Sequence, residues 1–292
     1  MTLQDIADNL RQELASRIER SGIMYRLFGR AKTMASIQHK ISIKGDSYKS
    51  GKGKINDIIG LRIVVYFPDD VDVLAMYFDD SSVVKRHIDT PDTDTFRPQC
   101  LNITKPLPEN FIEDFRAALP IDVAPYIDNT YEIQIRTVFS EGWHEVEHDL
   151  RYKCKEDWEG YDQHGRTLNG ILATLETSEW ALRSLFHQMA HTNMAHGNYR
   201  AMLRNKMRIR LKSTDFSPAI YDYLKSHPST VEAFINSDRL VVLFSLMIHE
   251  EAIPLTYDNI LFIINRIDIC DEGLSDLESP EVAASINRFL ES

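Results

Sequence analysis

The segment INDIIGLRIVVYF, residues 55–67, limits most sharply what this chain can fold into. It is apolar and β-branched almost throughout, with a polar glycine-rich loop before it and Pro68 after it, the pattern of a strand buried on both faces. Such a strand needs neighbours, and CLNITKPLP (100–108) and TYEIQIRT (130–137) supply them. The second alternates cleanly, with Tyr131, Ile133 and Ile135 on one face and Glu132, Gln134 and Arg136 on the other. Helical periodicity marks residues 3–21, 30–44 and 71–80, and returns from VFSEGWHEVEHDLRYK onward. Residues 164–197 read as helices closing back over the sheet, and the proline- and serine-punctuated stretch beyond 198 as short helices. KGDSYKSGKGK (44–54) and DTPDTDTFRPQ (89–99) read as loop and turn. The expected fold class is α+β, a mixed β-sheet flanked by helices. Residues 1–197 are read as one domain and 198–292 as a helical C-terminal region.

A formal net charge of −11 argues against a surface that grips nucleic acid everywhere. Two basic islands stand out nonetheless: eight cations against Asp46 between Arg26 and Lys54, and six cations with no acid between Arg200 and Lys212. For both, the simpler reading is a solvated face; the alternative is local phosphate handling. No run of about 18 apolar residues predicts a membrane span. The N-terminal segment reads as a helix and not as a targeting peptide, so a cytoplasmic location is expected. Cys100, Cys154 and Cys270 are scattered and form neither a disulfide framework nor a metal cluster by spacing.

The polar face of TYEIQIRT carries chemistry. A carboxylate, an amide and a guanidinium in a row on a half-buried strand each cost free energy unless paired, so Glu132, Gln134 and Arg136 look like ligand groups. Asp57 opens the neighbouring apolar strand. Two carboxylates on adjacent strands can hold Mg²⁺, a hard cation that favours carboxylate and phosphate oxygen. GRAKTMASIQHK places Arg30 and Lys32 at the start of the 30–44 helix, with Lys40 two turns on. Cations beside a carboxylate pair fit a nucleoside triphosphate. A competing pattern lies in WHEVEHDLRYK, where His144, Glu145 and His148 match the zinc-protease string H-E-x-x-H. Further histidines (His164, His187, His191, His196) leave a third ligand open.

In order, GRAKTMASIQHK, INDIIGLRIVVYF, YEIQIRT and WHEVEHDLRYK resemble the synthetase domain of RelA/SpoT proteins, in particular the small alarmone synthetases, over about residues 20 to 155. The resemblance implies a nucleotidyltransferase-like sheet and transfer of the β,γ-pyrophosphate of ATP to a ribose 3′-hydroxyl, with release of AMP. It implies ATP binding by Arg30, Lys32, Lys40 and Arg62. It makes Asp57 and Glu132 the Mg²⁺ ligands, with Glu132 otherwise the acceptor of the hydroxyl proton, and sets Arg136 on the phosphates. His148 then sits at the edge of the acceptor site beside Gln134, and Mg²⁺ at Asp57 and Glu132 is expected in place of Zn²⁺ at His144 and His148.

The family's N-G-Y-R-S-x-H loop is replaced here by DTDTFRPQCLNITKPLP. Phe96 with Arg97 would serve as an aromatic platform and adjacent cation for the acceptor, and Asn102 stands near the histidine's place. Three functions follow: an alarmone synthetase acting on GDP or GTP, a toxin of the same family that pyrophosphorylates the 3′ end of tRNA, or a degenerate nucleotide-binding module. No hydrolase motif is evident, so control would come from outside. Residues 198–292 are the expected place for homo-oligomerisation or for an antitoxin or other regulator.

Overall fold

The structure, a computed structural model, describes residues 1–49, 54–88 and 100–291, with residues 44–49 as backbone only. The strands are β1 (Tyr25–Ala31), β2 (Ile59–Val65), β3 (Lys85–Ile88), β4 (Leu101–Pro106) and β5 (Thr130–Thr137). The helices are α1 (Leu3–Ser21), α2 (Met34–Lys49), α3 (Pro68–Tyr77), α4 (Glu109–Ala117), α5 (Val138–Glu147) and α6 (Asp162–Ala195). They are followed by α7 (Tyr199–Met207), α8 (Pro218–Ser226), α9 (Pro228–Asn236), α10 (Arg239–Ile248), α11 (Tyr257–Ile264), α12 (Glu272–Ser275) and α13 (Pro280–Glu291). The chain groups into two compact units.

The first unit comprises Met1–Ala15, Tyr25–Tyr66 and Phe78–Glu176. Its five described strands form one mixed sheet in the order β1-β2-β5-β4-β3. β2 and β5 run parallel at the centre and the other pairs are antiparallel. Leu61, Ile63, Val65, Ile133, Ile135, Leu101 and Ile103 form the apolar layer. Each such side chain contributes about 1.5–3 kcal/mol by leaving water, an upper estimate for a real unfolded chain. Gly29 of β1 lets α1 lie close on this layer: a Cβ there would stand 3.0 Å from the Ala7 carbonyl oxygen and 3.3 Å from Arg11 Cβ. Ile6, Leu10 and Leu14, one helical face of α1, are buried. α4 likewise buries Phe111 and Phe115, one turn apart.

The second unit comprises Ser16–Met24, Phe67–Tyr77 and Thr177–Ser292 and is helical. Side-chain caps start α7 and α11: Asn198 accepts from Ala201 N at 3.2 Å and Thr256 from Asn259 N at 3.1 Å. Leu203, Met207, Leu224, Phe234, Leu243 and Ile260 fill its core.

The expected mixed sheet with flanking helices is what forms, and β4 and β5 lie within their expected segments. Four local expectations need correction. Arg30 lies on β1 and not at a helix start; no residue of β1 is fully buried, so the strand leaves no apolar alternation to read. The helix that follows begins at Met34 and continues through residues 44–49, expected as loop. β2 is shorter than the apolar run, and Asp57 sits in the connection before it, where Ile55 bridges Ile127. Residues 164–197 form essentially one helix, α6, instead of several.

Candidate active site

Register decides what shares the polar face of the sheet. Gly60 of β2 stands opposite Arg30 of β1 and Glu132 of β5, and Glu132 opposite Thr104 of β4. One step along, Arg62 pairs with Phe28 and Gln134, and Gln134 with Asn102. A further step pairs Val64 with Arg136. Cross-strand neighbours point the same way, so Arg30, Phe28, Arg62, Glu132, Gln134, Arg136 and Asn102 lie on one face. Gly60 leaves ground open between Arg30 and Glu132, because nothing lies within 4 Å of where its Cβ would be.

At one end of this face, Asp57 accepts from Lys40 Nζ through both oxygens, at 3.0 and 2.9 Å, and pairs with Lys32. The Lys32 backbone N–H is held by the Ile58 carbonyl at 2.8 Å, which fixes the lysine beside the Asp57 connection. Burial opposes the charge on Asp57, but hydrogen bonds from the two ammoniums outweigh it and hold its carboxyl below the ordinary aspartate range. Burial likewise pulls the Lys32 ammonium below the lysine range. Glu132 moves the other way: burial pushes its carboxyl up and the neighbouring Asp57 charge adds to this, against a 3.1 Å hydrogen bond from Gln134 Nε2. Two crowded oxygen donors, one of them costly to ionise, are a set that a hard divalent cation would relieve, so the residues fit Mg²⁺.

At the other end a guanidinium cluster is organised by α5. Thr137 caps that helix by accepting from Ser140 N at 3.2 Å, which sets Glu141 and Glu145 over the sheet. Arg62 donates to Glu141 Oε1 at 2.7 Å, to Glu145, and through Nε to Gln134 Oε1 at 3.3 Å. Arg136 Nε lies 3.7 Å from Glu141 Oε2, yet the Nε and one terminal nitrogen of this 5% exposed arginine have no hydrogen-bond partner in the structure. A buried guanidinium with unused donors is costly and marks a place where an anion would be welcome.

His144 and His148 stand one turn apart with ring centroids 5.6 Å from each other. Burial, and then the charges of Arg136 and Arg62, depress His144 to about 4. Glu145, the would-be base of H-E-x-x-H, is committed to Arg62. His148 lies at the rim, 3.1 Å from Asp149 and stacked on Tyr152. Asn102 accepts from Cys100 Sγ at 3.4 Å beside Gln134. Phe96 and Arg97 lie outside the described residues. The sequence reading missed Phe28 and Glu141, and took Glu145 only as the base of H-E-x-x-H and not as a partner of Arg62. An acid pair at i, i+4 next to the TYEIQIRT strand was the available signal for the two glutamates.

Residues 29–157, from within β1 to beyond α5, match the family model described as the region found in RelA / SpoT proteins. The chain is 34% identical over 136 residues to GTP pyrophosphokinase YwaC of Bacillus subtilis, which is 44% of this chain and 58% of that protein. The chain thus spans little more than half of that relative's length. Similar solved structures include a GTP pyrophosphokinase family protein from Streptococcus pneumoniae (20% identity, TM-score 0.47, 63% of this chain and 95% of that one). Small alarmone synthetase 1 from Bacillus subtilis is another (22% identity, TM-score 0.43, 61% and 89%).

Proposed function

We propose that this chain transfers the β,γ-pyrophosphate of ATP to the 3′-hydroxyl of GDP or GTP, releasing AMP. The observation that carries the reading is the polar sheet face of the segment that matches the RelA/SpoT family model. It sets a crowded carboxylate pair, Asp57 and Glu132, beside Lys32 and Lys40, and lines up Arg62 and Arg136 a few residues along. In the reaction the 3′-oxygen bonds to the β-phosphorus, the bond from that phosphorus to the oxygen bridging to the α-phosphate breaks, and AMP leaves with the bridging oxygen.

Glu132 takes the hydroxyl proton; its raised affinity for protons makes it a better acceptor than an ordinary carboxylate, and Gln134 orients it. Lys32, Lys40 and Arg30 bind the triphosphate, and Arg62 and Arg136 spread the charge of the transferring group. Asp57, with Glu132 beside it, would hold Mg²⁺, which when bound neutralises phosphate charge. Gln134, Asn102 and His148 border the acceptor.

Incubation with γ-labelled ATP and GDP, GTP or bulk tRNA tests this. Label on the guanine nucleotide with equimolar AMP is the expected result. Label on tRNA alone would overturn the acceptor and favour translation inhibition. No label and no AMP would overturn the transfer itself.

A further inference from the structure

The basic run 200–212 has no part in the sheet site. In the second unit it forms α7 and the turn after it, and two of its cations, Lys206 and Arg208, line a cavity of about 570 Å³. α3 contributes Asp69 and Asp72 to the same cavity, and the C-terminal half of α6 contributes Trp180 and Arg183.

Three observations mark this cavity as built for a ligand. First, Arg208 ends α7 in the left-handed region (φ 50°, ψ 43°), a conformation that costs a non-glycine residue about 1–2 kcal/mol. That backbone carries its 7% exposed side chain onto Asp69 and over the Phe67 ring at 4.6 Å. Second, the arrangement is unfinished: Arg208 Nε and Asp69 Oδ1 are buried with no hydrogen-bond partner in the structure. Arg239 stands against the same group, donating to Met207 O (2.8 Å), Asp69 (3.2 Å) and Asp70 (2.6 Å). A buried pair with an unused donor and an unused acceptor is costly, and it stands in the wall of this cavity. Third, Trp180 is 60% exposed, and the guanidinium of Arg183 lies over its ring at 5.2 Å. An indole at the edge of a cavity lined by charges of both signs is a stacking surface for a planar ring.

We propose that this cavity is a second ligand site, taking a purine nucleotide with its base on Trp180, base N–H groups toward Asp69 and Asp72, and phosphate toward Arg183, Lys206 and Arg208. The volume suits a mononucleotide. Lys206 is anchored for this, donating to the Ile235 and Ser237 carbonyls at 2.7 and 2.6 Å.

Calorimetric titration of the full chain with GTP and, separately, ATP tests the site, comparing wild type with Trp180→Ala/Arg183→Ala. Both side chains are exposed, so the variant should melt as wild type does; Trp180→Phe, which keeps a π-face, should keep binding. The double variant is expected to lose one bound nucleotide per chain, or to bind it at least about tenfold more weakly. Inorganic phosphate should bind far more weakly than either nucleotide. Equal stoichiometry and affinity in the two proteins would overturn the site. Phosphate binding as tightly as GTP would remove the base from it. Binding of an oligoribonucleotide lost in the variant, with GTP and ATP unaffected, would assign the surface to RNA instead. Should the sheet site fail to bind, wild type would still take one nucleotide and the double variant none.

Discussion

Arg62 of β2 and Glu141 of α5, 79 positions apart in sequence, meet in a 2.7 Å hydrogen bond on the polar face of the sheet. The second oxygen of Glu141 faces Arg136, so one carboxylate stands between two guanidiniums that would otherwise repel. Glu141→Gln should therefore lower stability by about 1–3 kcal/mol, by leaving Arg136 buried without its counter-charge. In a double-mutant cycle with Arg136→Met, the combined loss should be smaller than the sum of the single losses. Additive losses in urea unfolding would show that the two groups do not interact.

Asp57→Ala and Glu132→Ala should each abolish pyrophosphate transfer while far-ultraviolet dichroism stays unchanged. Glu132→Gln, which keeps shape and removes the proton acceptor, should lower kcat by roughly 10²–10⁴-fold. Turnover at the wild-type rate in either alanine variant would refute the site.

In the metal-free protein the Glu132 carboxyl should titrate above the ordinary glutamate range, because burial and the adjacent Asp57 charge both oppose its ionisation. Asp57→Asn removes that charge, so the titration should move to lower pH in a carboxylate-resolved infrared or NMR measurement. An unmoved titration would show that the two groups do not interact.

His144 gives a stability signature of opposite sense. Its folded-state value of about 4 lies below the ordinary histidine value of about 6.5. Between those two values the unfolded chain takes up a proton that the folded chain refuses. Stability should fall as pH drops through that window, and His144→Gln should flatten the fall. Identical melting-temperature profiles for variant and wild type from pH 7 to pH 4 would contradict this.

Gly29→Ala tests the packing that supports the site. The added methyl would meet the Ala7 carbonyl at 3.0 Å, so α1 must shift outward, and a loss of about 1–3 kcal/mol is expected. A neutral melting temperature would mean that α1 gives way freely.

The central sheet and its charged row were legible in sequence for a simple reason. β5 is apolar on one face and polar on the other, and the alternation of Tyr131–Arg136 states that directly. The apolar run around Leu61 and Ile63 could be nothing but a core element. β1 was not legible, because an edge strand with half-buried and exposed positions has no hydrophobic signature, and the apolar and basic residues after Ala31 extended a helical reading over it. The Arg62–Glu141 contact depends on which strand lies beside which and on where α5 turns back. Spacing along the chain does not encode that. The Asp57 lysine pair lay between these cases. The charges were visible as a basic island, but their convergence on one carboxylate required the close of α2 against the connection before β2.

Gly60 has a consequence for altering this protein. It lies in a central strand between Arg30 and Glu132, and a Cβ there would meet nothing within 4 Å. The fold thus accepts a methyl at position 60, while any molecule resting on that face would meet it. A bulky residue there would act as a gatekeeper, and a cysteine would offer a tethering point for covalent probes of the site.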